Sequence, residues 1–392
     1  MIRIAVLGAG SAGVQAIAHI LSSVRDVKVT CIHDPKQPIL GIGESTNPPF
    51  IAALQNGANF MIYDSYKNND LDMTIKLGTR FKKWREWEFT NPFLSGTAAI
   101  HMDTFKLNDF AFKRFKEKYP KRFEEIHGFA KDIENKKDRV TLKIDDKNYK
   151  FHYLIDCSGF PKEYGDDYVM TDETVNHCFV HNKKEDGSNI LYTGHIATSD
   201  GWMFEVPLKS RISYGYLFNN KITDPKTAKE NFAKEMNVPV DQLDDIEYKF
   251  KPYYTNKLID NRIIKNGNKA VFFEPISANS LAIYNEINHI IKEYIFSNNK
   301  QTEKRLNRKF MMEAKYLEEA IAFHYHGGST YDTDFWKFIV DYSNKVLSKS
   351  TKFQELKQLP QTTYGYNWSW FYHHDAWTIV DREMGFNYMK KE

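Results

Sequence analysis

Cysteine is scarce in this 392-residue chain. The three residues Cys31, Cys157 and Cys178 lie far apart and in no Cys-x-x-Cys spacing, so neither a disulfide framework nor a zinc site is expected, and the reducing cytoplasm is the simplest compartment. No apolar run approaches the ~18 residues that a membrane-crossing helix needs, and no signal-peptide pattern precedes a first strand that starts at Ile2; a soluble, intracellular protein is expected. Charge of one sign is also missing. With 54 basic and 51 acidic residues the formal net charge is +3, so no field gathers nucleic acid. Internal repeats and low-complexity tracts are absent. A metal centre is not indicated either, because His324, His326, His373 and His374 have no carboxylate at ligand spacing and read as core or surface residues.

Aromatic residues are abundant at 15%, with 28 Phe, 23 Tyr and 7 Trp, which suits a core of large side chains and equally a site that takes planar rings. The opening stretch Ile2-Arg3-Ile4-Ala5-Val6-Leu7 breaks into Gly8-Ala9-Gly10-Ser11-Ala12-Gly13 and continues as an apolar helix. That order of strand, Gly-x-Gly-x-x-Gly turn and helix predicts a dinucleotide site. Gly8 permits the turn, Gly10 lets the backbone approach a pyrophosphate, Gly13 lets helix and strand pack closely, and the amides from Ser11 and Ala12 onward face the phosphates. A second strand over residues 27–32 then delivers Asp34, whose carboxylate is placed for the adenosine ribose.

Residues 38–49 are too rich in glycine and proline for a regular element and form a shaped loop. Alternation predicts a strand over 74–81 with Lys76 inside it, and helical spacing predicts one or two helices over 103–125. A meander follows, with strands at 140–144, 149–151 and 153–156 around a turn at 145–148, and further strands at 175–180, 190–197, 203–208 and 212–218. A last strand at 270–275 precedes a helix over 281–296 and a largely helical remainder. The expected organisation is one discontinuous α/β domain over 1–299, with an antiparallel substrate-side sheet inserted, and a helical substrate-side region over 300–392.

Three stretches carry a family resemblance. Gly43-Glu44-Ser45-Thr46-Asn47-Pro48-Pro49 resembles the Gly-Glu-Ser-Thr-x-Pro loop of flavin-dependent halogenases related to tryptophan halogenase. Trp202-Met203-Phe204-Glu205-Val206-Pro207 is similar to their Trp-x-Trp-x-Ile-Pro signature, and Phe272-Phe273-Glu274-Pro275 to their Phe-Leu-Glu-Pro segment. The resemblance implies an FAD-binding Rossmann-like module of the hydroxylase type. It also implies reduced flavin supplied by a separate reductase, a flavin hydroperoxide that oxidises halide to hypohalous acid, and a small electron-rich aromatic substrate. Lys76 takes the place of the family's catalytic lysine, which polarises that acid by a charge-assisted hydrogen bond or holds it as a haloamine. Gly8, Gly10, Ser11, Ala12, Gly13, Asp34, Asp156 and Gly159 are then cofactor residues, with Gly43, Glu44, Ser45 and Thr46 strapping the flavin. Trp202, Phe204 and Pro207 form a barrier or substrate wall, and Asn279 and Ser280 supply donors to the halide.

The chain departs from that pattern at Ser277, where tryptophan-type members carry a second glutamate, and it is short for the family. A weaker selection of substrate and halide follows. Ser280 also suits the cap of the helix that follows, and Trp368-Ser369-Trp370, with no proline after it, reads as core or substrate wall. Two other readings of the same residues are an NAD(P)H-dependent aromatic monooxygenase and a nucleotide-binding protein whose chemistry has lapsed.

Overall fold

The apolar opening run sits at the centre of a parallel sheet because both of its faces are covered. In the computed structural model, which describes residues 1–37, 44–63, 71–93, 97–359 and 375–389, Ile2–Leu7 lies between Val27–His33 and Tyr153–Asp156, all parallel. Phe123–His127 extends the sheet on one side, Ile263–Lys265 and Ile259–Asp260 on the other. Ile4 and Val6 face the main core with helix α1 (Ser11–Ser23), while Ala5 and Leu7 pack against Val140, Leu142 and Phe151 of a three-stranded meander.

Helix α2 (Pro48–Ala58) is capped by Asn47, whose Oδ1 accepts from the Phe50 amide at 3.0 Å. Helix α3 (Thr104–Lys118), capped by Asp103, is a single helix that ends earlier than its apolar spacing predicts. Phe123–His127 is instead a strand in register with Val27–His33, since an edge place beside a β-branched strand outweighs a weak helical period. In the meander the turn shortens to Asp145 and Asp146, at φ of 45° and 63°. Such a two-residue turn matches the twist of its strands, so the second strand resumes at Lys147.

The expected strand over 74–81 is two strands. The Leu77 amide donates to the Leu191 carbonyl and its own carbonyl accepts from Phe93, both at 2.7 Å, while Gly78 lies so close to Asn91 that a Cβ would overlap the Asn91 carbonyl oxygen. Thr74–Lys76 therefore pairs with Ala99–Met102, which also pairs with Glu44–Ser45. Gly78–Lys82 joins a seven-stranded sheet with Phe89–Pro92, Tyr192–Thr198, Gly201–Pro207, Ile212–Phe218, His177–Lys183 and Ile246–Lys249. One face of that sheet turns Trp202, Phe204 and Val206 to the main core; the other packs Met203 and Tyr216 on Phe232 of α4 (Pro225–Met236).

Of the strand expected over 270–275 only Val271–Phe272 forms. Helix α5 (Asn279–Ser297) begins at Asn279 after the uncapped residue Ala278, so Ser280 is its second residue and not its cap. Helix α6 (Lys300–Tyr325) and shorter helices follow. Leu306, Phe310, Tyr325 and Trp336 from this helical part share one core with Val14, Ile17 and Ile287. Among the described residues no helix is long and apolar enough to cross a membrane, and the three cysteines are buried and unpaired.

At the opening turn, a Cβ on Gly13 would overlap the Gly8 carbonyl oxygen, whereas a Cβ on Gly10 meets nothing within 4 Å. Gly13→Val should therefore cost roughly 3 kcal/mol or more of stability. Gly10→Val should melt within about 1 °C of the wild type yet bind a dinucleotide at least about tenfold more weakly, because its side chain fills the space over the turn. Thermal melts and cofactor titration of the two variants check both halves; equal dinucleotide affinity in a folded Gly10→Val protein would contradict this account of the turn.

Candidate active site

Lys76 ends the short strand Thr74–Lys76 and is 1% exposed. The strand break at Leu77 and the pairing with Ala99–Met102 turn its side chain inward. Its Nζ donates to Ser45 Oγ at 2.7 Å and to the Thr46 carbonyl at 2.8 Å, beside the Phe93 ring. Ser45 Oγ in turn contacts Thr193 Oγ1 at 2.7 Å, and Thr193 contacts His101 Nε2 at 3.0 Å. Thr74 fixes the strand from its other side, donating to the Pro207 carbonyl at 2.6 Å. Burial, with no carboxylate close enough to offset it, lowers the Lys76 pKa to about 7. His101, buried beside that charge, is held well below its ordinary value.

Glu274 is a further buried ionisable group beside this site. Trp202 Nε1 donates to its Oε1 at 3.2 Å, Tyr325 Oη donates to Oε1 at 2.6 Å, and Thr174 Oγ1 donates to Oε2. Burial nevertheless raises its pKa to about 7. The carboxyl thus ties the Trp202 strand to α6. Next to it, His195 is stacked between Phe81 and Trp202, with ring centroids at 4.8 and 5.1 Å, and burial lowers its pKa to about 3.

Between Glu274 and α5 the backbone takes an unusual course. Ser277 and Ala278 have φ of 56° and 54°, the left-handed region, which costs a non-glycine residue about 1 to 3 kcal/mol. The Ser277 amide donates to His195 Nε2 at 3.0 Å, and Ser277 Oγ lies 3.1 Å from His324 Nε2. A cavity of about 40 Å³ opens here, walled by Ser277, Asn279 and His324 with Asn47, Asn91 and Leu317. Asn47 Nδ2, Asn91 Oδ1 and Asn279 Oδ1 are buried without a partner among the described residues. The Asn279 amide nitrogen donates to the Glu274 and Ile276 carbonyls at 3.2 and 2.9 Å, so the side chain has an acceptor left over and no donor for an anion. This overturns the expectation of a side-chain donor there; only its backbone amide stays available. Ser280 is absent from the wall.

Just before α1, Gly8 takes φ of 97° against Cys157, and Gly159 takes φ of 89° with nothing within 4 Å of a Cβ. The Gly10 position carries no side-chain cap, leaving the first-turn amides of α1 open. Asp34 follows Val27–His33 and accepts from the Lys36 amide at 2.9 Å; Asp156 is opposite Leu7 and accepts from the Ser158 amide at 3.0 Å. The open space over Gly10 and Gly159 and the uncapped helix start fit a dinucleotide. Gly43 and the Trp368 to His374 stretch lie outside the described residues, and Glu44 is described only as strand backbone opposite Met102. His324 is buried, as expected of a core histidine.

The residues that sequence reasoning missed are His101, Asn91, the Ser277–His324 pair and Asn266 to Lys269, whose Gly267 abuts Ala12. Only the Asn-Gly-Asn run carried a local signal. The others acquire meaning from contacts between distant segments.

The model of the tryptophan halogenase family matches residues 3–143 and 128–387. The chain belongs to that family. Members are flavin-dependent oxidoreductases that halogenate with reduced FAD and halide. Among curated relatives, the tryptophan 6-halogenase ThaL of Streptomyces albogriseolus is 19% identical, with 85% of this chain and 78% of its own covered. Among solved structures, the flavin-dependent halogenases Xcc4156 of Xanthomonas campestris and BrvH of Brevundimonas sp. BAL3 superpose with TM-scores of 0.82 and 0.80 at 17% and 16% identity, covering 100% of this halogenase and 90% and 91% of theirs. The α/β fold with its Rossmann-like module is the one they share.

The Lys76 pKa has a stability consequence in this halogenase. Its native value of about 7 lies below the unfolded value of 10.5, so between those pH values the unfolded chain binds the extra proton and stability rises with pH. Lys76→Met removes that dependence. The melting temperature of the wild type minus that of Lys76→Met should climb by about 2 °C or more from pH 6.5 to pH 10; a difference that is flat or falls with pH would show that the ammonium is not desolvated.

Proposed function

We propose that this halogenase acts on neutral, electron-rich aromatic compounds, with Lys76 activating the oxidant and a separate reductase delivering the reduced flavin. The observation that carries the reading is the buried Lys76 Nζ with two fixed acceptors, Ser45 Oγ and the Thr46 carbonyl. Residues of the opening turn, Asp34, Asp156 and Gly159 would hold FAD, and the 43–46 loop would cover it. When bound and reduced, flavin supplies hypohalous acid from oxygen and halide.

An ammonium has three N–H groups. Two are taken by Ser45 and Thr46, and the third remains for the oxygen of hypohalous acid, whose polarisation makes the halogen electrophilic. The Thr74 to Pro207 hydrogen bond and the Ser45 to Thr193 contact keep Nζ in place. Trp202, Phe204 and Pro207 belong to one buried strand, which supports their role as a wall that keeps water and substrate from the cofactor side. The Ser277 amide is held by His195 Nε2 and the Ala278 amide by the Pro275 carbonyl at 3.1 Å, so the backbone amides of Asn279 and Ser280, in the first turn of α5, are the ones that would face halide.

The cavity wall supports a neutral substrate. No Lys, Arg, Asp or Glu lines it among the described residues, and burial lowers the His324 pKa to about 4 so that it stays uncharged. The ammonium and carboxylate of a free amino acid would be desolvated there without partners. The spare donor of Asn47 and the spare acceptors of Asn91 and Asn279 match a phenol hydroxyl or an indole N–H.

Incubation with a flavin reductase, NADH, FAD, one halide and a panel of phenols and indoles, read by mass spectrometry, tests the reading. Halogenated indole or phenol is expected, with kcat/KM at least about tenfold above that for free tryptophan and bromide or iodide ahead of chloride. Lys76→Ala should lose about a hundredfold or more in rate while FAD affinity is unchanged. Preference for tryptophan and chloride, or full activity in Lys76→Ala, would contradict the proposal.

A further inference from the structure

We infer that Ser277 and His324 together are the proton acceptor of the reaction, taking the hydrogen that a ring carbon must lose once halogen has bonded to it. This rests on the halogenase reading above and goes beyond it by naming the base. Two positions far apart in sequence, one before α5 and one near the end of α6, meet at the cavity wall. His324 Nδ1 lies 2.7 Å from the Ala320 carbonyl one turn back. That carbonyl can only accept, so Nδ1 carries the hydrogen and the Nε2 lone pair faces Ser277 Oγ at 3.1 Å. The bond from the Ser277 amide to His195 Nε2 holds Ser277 in its left-handed conformation, with its hydroxyl at the cavity and against His324.

The chemistry needs such a group. The ring π pair attacks the halogen of hypohalous acid, the carbon–halogen bond forms, the oxygen–halogen bond breaks, and the oxygen leaves as water with a proton from the Lys76 ammonium. The C–H pair then returns to the ring. Its proton passes to Ser277 Oγ while the Ser277 hydroxyl proton passes to His324 Nε2, giving an imidazolium whose Nδ1–H stays on the Ala320 carbonyl. The sum is arene plus hypohalous acid giving halogenated arene and water, with one proton moved from Lys76 to His324 and restored through solvent. The competing bases are unsuited. Glu274 is turned to Trp202, Tyr325 and Thr174, His195 Nε2 already accepts from the Ser277 amide, and no carboxylate lines the cavity among the described residues. Burial keeps His324 unprotonated at rest, as a base must be, and a protonated σ-adduct is acidic enough to charge it.

The test is an isotope competition between indole and ring-deuterated indole, with bromide, reductase and FAD, in the wild type, Ser277→Ala, His324→Leu and Ser277→Glu. With the acceptor in place every adduct goes forward, so the wild-type product ratio should be near 1. Without it the adduct partitions back and proton loss is exposed, so Ser277→Ala and His324→Leu should slow about tenfold or more and give ratios above about 2. Ser277→Glu, which brings its own carboxylate to the same place, should return the ratio toward 1. FAD affinity and melting temperature, measured on each variant, identify one that has lost its fold, and Ser277→Ala at the cavity surface carries the conclusion if His324→Leu does not fold. Isotope ratios near 1 at wild-type rate in Ser277→Ala would overturn the role of the pair while leaving the halogenase reading intact. A wild type that halogenates nothing would overturn both.

Discussion

Burying an ammonium is costly unless acceptors replace its water, and the placement of Lys76 organises much of the structure around it. The strand that carries it is broken at Leu77 so that residues 74–76 leave the large sheet, and the strand Ala99–Met102 then brings Ser45 opposite His101 and Thr74 opposite the same residue. One acceptor is the Ser45 hydroxyl and the other the Thr46 backbone. The end of the loop that the resemblance assigns to the flavin is thus also the seat of the lysine. Movement in that loop and the position of Nζ are mechanically linked, since neither acceptor can shift without leaving the amine short of a partner.

Glu274 has the corresponding task between the sheet and the C-terminal helices. Its three donors come from the Trp202 strand, from residue 174 and from α6, so the carboxyl joins the antiparallel sheet to the C-terminal helices. The Pro275 that follows leads into the two left-handed residues before α5. Those residues keep their strained conformation because His195, itself clamped between Phe81 and Trp202, accepts the Ser277 amide. A buried polar network of this kind fixes one arrangement of the wall, because each group is the partner of another in a low-dielectric setting.

The sequence makes the dinucleotide turn legible because its chemistry is local: three glycines, a helix start and an acid at fixed spacing. The lysine and the Ser45-Thr46 loop are legible through resemblance, but the bond between them is not, as 30 residues separate Lys76 from Thr46 and only the small sheet closes that gap. The helical reading of 119–125 fails for a similar reason, since Phe123–His127 is fixed by its neighbour Val27–His33 and not by its own period. Ser277 reads from the sequence only as a lost acid. Its meaning depends on His324, 47 residues away, a histidine that by itself is indistinguishable from ordinary core. Asn279 misleads in the opposite way, because a carboxamide has both a donor and an acceptor and the fold engages its donor with the chain's own carbonyls.

The absent acid and the depressed lysine are connected through His195, which accepts the Ser277 amide and lies within electrostatic range of Lys76. A carboxylate at position 277 would place a negative charge in the same buried site and favour the charged form of a nearby ammonium. In its place stand a hydroxyl and two imidazoles that burial keeps neutral, so nothing offsets the desolvation of Lys76 and its pKa falls to about 7. The lysine then exchanges its proton near neutrality instead of holding it permanently. On the proposed route, in which Lys76 gives a proton to the departing oxygen and Ser277 takes one from the ring, both groups must be reversible carriers. A fixed ion pair would hold the first proton too tightly to release it, and the neutral Ser–His pair leaves the lysine free to do so.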